Sequence, residues 1–299
     1  MGKAIGVIII LIIVVLIAYY AISRIVSDTR FIKFFSWSNL APGTTTISQK
    51  PAAQVYIPSK TAPAELTPAI TPPKGFTLAQ ISPYYGKVRI RSVSPAYYWN
   101  SMSQFSLQGE YSLSQPINIT NWILRANKGG DIFVPQGVSD YNPYRFLAKS
   151  DIYLNSSDYV YFYSTESKFG FDFRLNKCTG YLNNAYEFNP KLPTNCPSVN
   201  RSDISSFPGR CQSFILSLWS CEQPTPEEVN AFNGSDYYGC IDFLNNINYG
   251  SCYGKYHSDS DFFSHEWRVW LGKALPFDSA HDRLLLFDSK GLLVDEYTY

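Results

Sequence analysis

The chain ends with Arg283-Leu284-Leu285-Leu286-Phe287-Asp288-Ser289-Lys290-Gly291-Leu292-Leu293-Val294-Asp295-Glu296-Tyr297-Thr298-Tyr299. Two extended apolar runs flank a short polar turn in which Gly291 takes the left-handed position, so the stretch reads as a β-hairpin. A second run, Lys87 to Val93, sends Val88, Ile90 and Ser92 to one side and Arg89, Arg91 and Val93 to the other, the pattern of a strand with one buried face. Gln104 to Glu110, Ile117 to Arg125, Asp131 to Val134, Tyr159 to Tyr163 and Phe169 to Phe173 repeat that period of two between turn residues. Together they predict a mainly β domain built as a two-layer sandwich.

Composition agrees with strands: Tyr (23) and Phe (20) are abundant while Met (2) is scarce, which suits pleated, aromatic-rich sheets better than helical bundles. Lys plus Arg (25) balance Asp plus Glu (24), so no global field would collect phosphate backbones, and nucleic acid is excluded as a partner.

Between Arg174 and Ser264 the alternation fails, and the six cysteines Cys178, Cys196, Cys211, Cys221, Cys240 and Cys252 all fall there. Their even number, clustering and lack of a CxxC pair predict disulfides rather than a structural zinc site. Pairing of sequence neighbours (Cys178 with Cys196, Cys211 with Cys221, Cys240 with Cys252) is one option among the possible connectivities. Thr225-Pro226-Glu227-Glu228 has the cap, first-turn proline and acidic turn of a helix start, and Cys211 to Trp219 suits a short helix. A Cys-rich α-helical insertion at about 174–265 is expected.

Ala4 to Ile22 is an uncharged apolar run of 19 residues, about 28 Å as a helix and close to the hydrocarbon thickness of a bilayer. The expected domain order is a single-pass membrane anchor over 1–23, a Pro/Thr-rich linker over 24–80 and the β-sandwich over 82–299. A cleaved secretory signal is the alternative reading of the leading run. Arg24, Arg30 and Lys33 behind it favour a cytoplasmic C-terminus by the positive-inside count, whereas disulfides require an oxidising exterior. The cysteines decide for a cell-membrane protein with an extracytoplasmic C-terminal domain.

Ile117-Asn118-Ile119-Thr120-Asn121-Trp122-Ile123-Leu124, Phe133-Val134-Pro135, Leu154 to Val160 and the terminal hairpin together resemble the lamin tail domain of exported and membrane-anchored bacterial proteins. The resemblance covers about residues 82–299, with Trp122 as the core tryptophan and Asn121 in place of the usual Gly. It implies an immunoglobulin-like β-sandwich that recognises proteins or surfaces, and it implies no shared reaction.

His257, Asp259, Asp261 and His265 crowd into nine residues and have the ligand types of a metal site, yet Ser258-Asp259-Ser260-Asp261 reads equally as a cap and turn. No metal and no cofactor is therefore expected. Glu110, Glu166, Glu187 and Glu266 are carboxylates of the kind that pair in glycoside hydrolysis, and His281-Asp282 beside Arg283 reads as a solvated turn. With no nucleophile elbow, metalloprotease helix or phosphate loop, no catalytic residue is assigned and an enzyme is not expected. Tyr97, Tyr98 and Trp99 are candidate ligand-contact aromatics, since Tyr and Trp join a broad apolar face to a polar handle. Tyr159 to Tyr163 is a further aromatic excess, with cover for both sides of a sheet as its plainer reading.

The sequence thus predicts a membrane-anchored binding or structural protein of the cell envelope whose partner is an envelope or extracellular protein or a glycan. A carbohydrate-binding module using exposed Trp and Tyr is the first alternative, and an envelope hydrolase with its site in the insertion is the second.

Overall fold

A computed structural model describes residues 71–97 and 101–299. Its strands are β1 (Val88–Ser94), β2 (Gln104–Gly109), β3 (Ile117–Asn118), β4 (Ile123–Arg125), β5 (Asp131–Phe133), β6 (Tyr153–Leu154), β7 (Tyr159–Tyr163), β8 (Phe173–Asn176), β9 (Phe263–Trp270), β10 (Arg283–Phe287) and β11 (Leu293–Thr298). They form a five-stranded sheet in the order β1-β2-β7-β9-β8, a four-stranded sheet β11-β10-β4-β5 and a small β3-β6 pair. Most pairs are antiparallel, but β7 and β9 run parallel.

Apolar residues at alternate positions of both larger sheets meet in one core. Val88, Leu107, Val160, Phe162 and Val269 come from the first sheet and Leu124, Ile132, Leu284, Leu286 and Val294 from the second, joined by Trp122. The Phe105 and Phe162 rings stack at 4.4 Å there. The terminal hairpin forms, with Gly291 at φ +78°. Its turn is built on Asp288, whose carboxylate accepts the Lys290 and Leu292 N–H groups (2.9 and 3.0 Å) and the Ser82 hydroxyl (2.7 Å). Asp282, expected in a solvated turn, is instead wholly buried and accepts the N–H groups of Asn127 and Asp278 at 3.0 Å each. A carboxylate meeting several N–H groups satisfies loop backbone that burial would otherwise leave unpaired.

Between β8 and β9 the chain makes a 3₁₀ turn (Thr179–Asn184) and the helices α1 (Gly209–Ser217), α2 (Pro226–Asn230), α3 (Tyr238–Asn245) and α4 (Tyr249–Tyr256). The Thr225 hydroxyl accepts from Glu228 N–H and Glu228 reaches back to Thr225 N–H, a reciprocal cap at the helix start read from sequence. The cysteines pair Cys178–Cys252, Cys196–Cys221 and Cys211–Cys240, replacing neighbour pairing. Which sulfurs meet follows from how the helices pack: Cys211 on α1 and Cys240 on α3 share one apolar cluster with Ile204, Ile215 and Leu244. Cys178 and Cys252 instead join a cluster with Phe173, Tyr163 and Trp270 of the sheet, so this bridge ties the insertion down. Gly180 is required where it sits, because a Cβ there would collide with Cys221 Sγ and the Pro193 carbonyl.

The mainly β, immunoglobulin-like sandwich expected from the sequence is corrected to a mixed α/β globular domain with open sheets. Alternation reported the strands, but the helical segment closes one apolar cluster of its own and builds a second against the five-stranded sheet, and the sheet orders end on free edges instead of closing a barrel. The anchor expected over Ala4–Ile22 and most of the linker lie outside the described residues. Among the described residues no helix is long and apolar enough to cross a membrane; the nine residues of α1 span about 14 Å against roughly 30 Å of hydrocarbon. The membrane-anchored envelope protein, its membrane partner and its cell-membrane placement, all expected from the sequence, are corrected accordingly: the structure supports only the globular domain.

Cys178–Cys252 spans 74 residues, and removing a cross-link of that loop length costs about 4 kcal/mol in the chain-entropy account. Thermal melts of the Cys178→Ser/Cys252→Ser double variant are expected to show the largest loss among the three paired variants. An equal or larger loss on removing Cys196–Cys221 would contradict this.

Candidate functional site

The alternation that drives Val160 and Phe162 of β7 into the core sends Tyr159, Tyr161 and Tyr163 to the opposite face of the five-stranded sheet. These tyrosines therefore share one side and do not cover both. Strand register aligns them in rows. Arg89, Gln108, Tyr159 and Glu266 lie abreast across β1, β2, β7 and β9; Ser92, Ser106, Tyr161 and Arg268 form the next row; Ser94, Gln104, Tyr163 and Trp270 form the third. No aliphatic side chain enters the rows, which makes this face chemically unlike the core side of the same strands.

The three tyrosine rings follow one another at 6.1 and 6.5 Å between centroids, inclined by 15° and 10°. The Arg268 guanidinium carbon lies 5.0 Å from the Tyr161 centroid and 5.3 Å from that of Tyr163, its nitrogens engaging Glu266 and the Tyr163 hydroxyl. Cation–π contact and ion pairing thus fix the rings and the charged pair together. Burial, then the Glu266 carboxylate, raises the Tyr161 hydroxyl pKa, and burial raises that of Tyr163 further, so both remain neutral hydrogen-bonding groups at ordinary pH. The hydroxyls of Ser92 and Ser106 bond at 2.7 Å. Gln108, in the first row, is 7% exposed, and its buried Nε2 has no hydrogen-bond partner.

At the Trp270 end the face runs under the insertion, where Phe188 packs against Trp270 at 5.5 Å and Trp270 Nε1 donates to the Asn189 carbonyl. At the Glu266 end Gly180, Pro193 and Asn195 of the insertion line a cavity together with Ser264 and Glu266. The insertion therefore supplies walls to a floor made by the sheet.

Among the sequence candidates, Tyr97 is 38% exposed beyond the end of β1 and close to Tyr299, whereas Tyr98 and Trp99 lie outside the described residues. His257, Asp259, Asp261 and His265 do not converge. His257 stacks on Tyr253, Lys177 Nζ holds Asp259 and Asp261 at 3.0 and 2.6 Å, and His265 turns away to Asp158. Among the described residues no cluster of three His, Cys, Asp or Glu side chains could hold a metal ion. Of the four glutamates, Glu110 pairs with Arg89 and Glu266 with Arg268, while Glu166 and Glu187 are exposed.

Sequence reasoning missed the wholly buried Asp158, which accepts from Asn155 N–H and Nδ2 (3.0 and 2.7 Å) and from His265 Nδ1 (2.7 Å). It also missed the grouping of Tyr159, Tyr161, Glu266 and Arg268. The signal for the tyrosines was present, because Val160 and Phe162 name the inward face of their strand. Compared with protein-family models, curated proteins and solved structures, the chain finds no match in any of the three, so no relative supports the lamin-tail resemblance.

Two carboxyls fix the borders of the face. Asp172 accepts Trp270 N–H and Asp295 accepts Ile90 N–H, both at 2.7 Å, and burial pushes each up to about 6 from 3.8. Between those values the folded chain holds protons that the unfolded chain has released. Their stabilising contribution is therefore complete below pH 3.8 and is lost as pH rises through about 6. Calorimetry is expected to give a higher Tm at pH 5 than at pH 7, with about 1 kcal/mol from Asp172 and less from the half-buried Asp295. Asp172→Asn should flatten the trend; a Tm that falls on acidification over this range would refute the assignment.

Proposed function

We propose that the domain is a carbohydrate-binding module whose contact surface is the outer face of the five-stranded sheet. The observation that carries this reading is the pair of near-parallel, part-exposed Tyr159 and Tyr161 rings, continued by the buried Tyr163 where the face passes under the insertion, beside an ordered set of polar side chains from β2 and β9. Sugar rings present apolar C–H faces and equatorial hydroxyls together. A surface that alternates aromatic area with Gln, Ser, Glu and Arg groups meets both demands at once, as binding sites in general combine apolar area with a few placed polar groups.

Prior fixing of the rings favours this use. Rings already held by neighbours and by Arg268 lose little rotamer freedom when a ligand lands on them, so little of the contact energy is spent on ordering. The reading assigns the domain a binding role with no chemical step and no cofactor. It is favoured over the hydrolase alternative because Glu110 and Glu266 are each committed to an arginine.

Affinity electrophoresis through gels containing individual polysaccharides tests the proposal. At least one polysaccharide is expected to retard the protein, and Tyr159→Ala and Tyr161→Ala are each expected to weaken that retardation about tenfold, on the scale of about 1.4 kcal/mol per decade. Tyr161→Phe should keep most of the binding. Retardation unchanged in both alanine variants, with near-ultraviolet circular dichroism showing native packing, would place the contact elsewhere.

A further inference from the structure

The edge strand of the candidate face carries an asymmetry of charge. Val88 and Ile90 are buried, so the alternate residues Lys87, Arg89 and Arg91 are left exposed along the border of the sheet. The register slips between Ile90 and Ser92, which makes Arg91 the unmatched residue of a bulge on an outermost strand. Of the acids nearby, Glu110 pairs with Arg89, Asp295 is engaged by Ile90 N–H, and Glu296 pairs with Arg283. Among the described residues no carboxylate pairs with Lys87 or Arg91. Arg89, which the two unpaired cations flank along β1, lies directly across from Gln108 in the first row of the face.

Resting on the carbohydrate reading, we infer that the ligand is an anionic polysaccharide, a polymer of uronic acid residues, lying across Tyr159 and Tyr161 with its carboxylates toward Lys87 and Arg91. A neutral glycan would use the rings, but it would leave both cations facing water with nothing gained. A uronate polymer brings a flat C–H face and a carboxylate in every residue. Nucleic acid offers rings and charge too, yet its affinity depends on many phosphate contacts. This chain has two spare cations at the face and a formal net charge of +1.

The test compares the full 299-residue chain on polygalacturonate, on a neutral mannan and on a single-stranded thymidine homopolymer at matched salt. Polygalacturonate is expected to bind at least tenfold more tightly than mannan, with affinity falling as sodium chloride is raised. Lys87→Gln/Arg91→Gln should erase most of that preference, and Lys290→Gln, in the β10–β11 turn of the other sheet, should leave it intact. Equal binding of polygalacturonate and mannan, or indifference to the double substitution, would overturn the anionic assignment and leave the carbohydrate reading standing. Tighter binding of the oligonucleotide than of either glycan would overturn the choice of polymer. Failure of every glycan to bind natively folded protein would overturn the carbohydrate reading itself, and this inference with it.

Discussion

The parallel pairing of β7 with β9 is the constraint on which the rest of the molecule depends. Two adjacent parallel strands cannot be joined by a tight turn, so the chain must leave the sheet and come back. It leaves through β8, which pairs antiparallel on the far side of β9, and everything between β8 and β9 becomes the helical insertion. The same pairing sets Tyr159 beside Glu266 and Tyr161 beside Arg268. It also brings Asp158 and His265, one residue earlier on each strand, to within a hydrogen bond. A one-residue slip of β9 would turn Glu266 and Arg268 inward and expose Trp267 and Val269, exchanging a paired charge for core. The buried positions of Trp267 and Val269 are what hold the register.

The insertion is held by packing at one end and by sulfur at the other. Phe188, Leu182, Tyr249 and Tyr253 bury against Phe173, Tyr163 and Trp270, so part of the sheet's outer face becomes a second core, and Cys178–Cys252 lies inside it. The outer helices close a separate cluster stapled by Cys211–Cys240. Short helices of this kind have little stability of their own, which explains why cross-links concentrate in this part of the chain. Their consequence reaches the candidate site, because the 3₁₀ turn and the Pro193 segment, pressed together at Gly180, wall one border of the tyrosine face.

Local chemistry was legible in the sequence wherever it was self-contained. The 283–298 hairpin and the Thr225–Glu228 cap each depend on residues within a few positions of one another, and both stand in the structure; the alternation read for β1 holds through Val88, Arg89 and Ile90, and the bulge at Arg91 then reverses it, turning Ser92 outward and Val93 to the core. What depended on distant residues was not legible. Cysteine pairing followed helix packing instead of sequence proximity. The His257–His265 group dissolved because Lys177 enters from β8's end and neutralises two of its carboxylates. The mixed α/β character was hidden as well, since alternation announces strands but says nothing of how much of the core an irregular segment builds. Asp282 read as part of a solvated turn and Asp158 carried no reading of its own, and only the strands converging on them show them to be buried.

The tyrosine face is also the place where the sequence departs from the economy of an ordinary solvated sheet surface. A strand side turned permanently to water gains nothing from aligned rings, and a buried amide donor without an acceptor costs about 1 to 3 kcal/mol. Gln108 carries that cost in the first row, next to the rings that Arg268 orders. An isolated orphan of this kind would be a simple defect of packing. Here it coincides with two part-exposed rings, Tyr159 and Tyr161, held in one orientation with the buried Tyr163, with an ion pair fixed beside them and with an edge strand whose spare cations point outward. The part-exposed rings and the spare cations are met by the same event, the arrival of a flat ligand rich in hydrogen-bond acceptors. That convergence, more than any single contact, argues that the face is built to be covered.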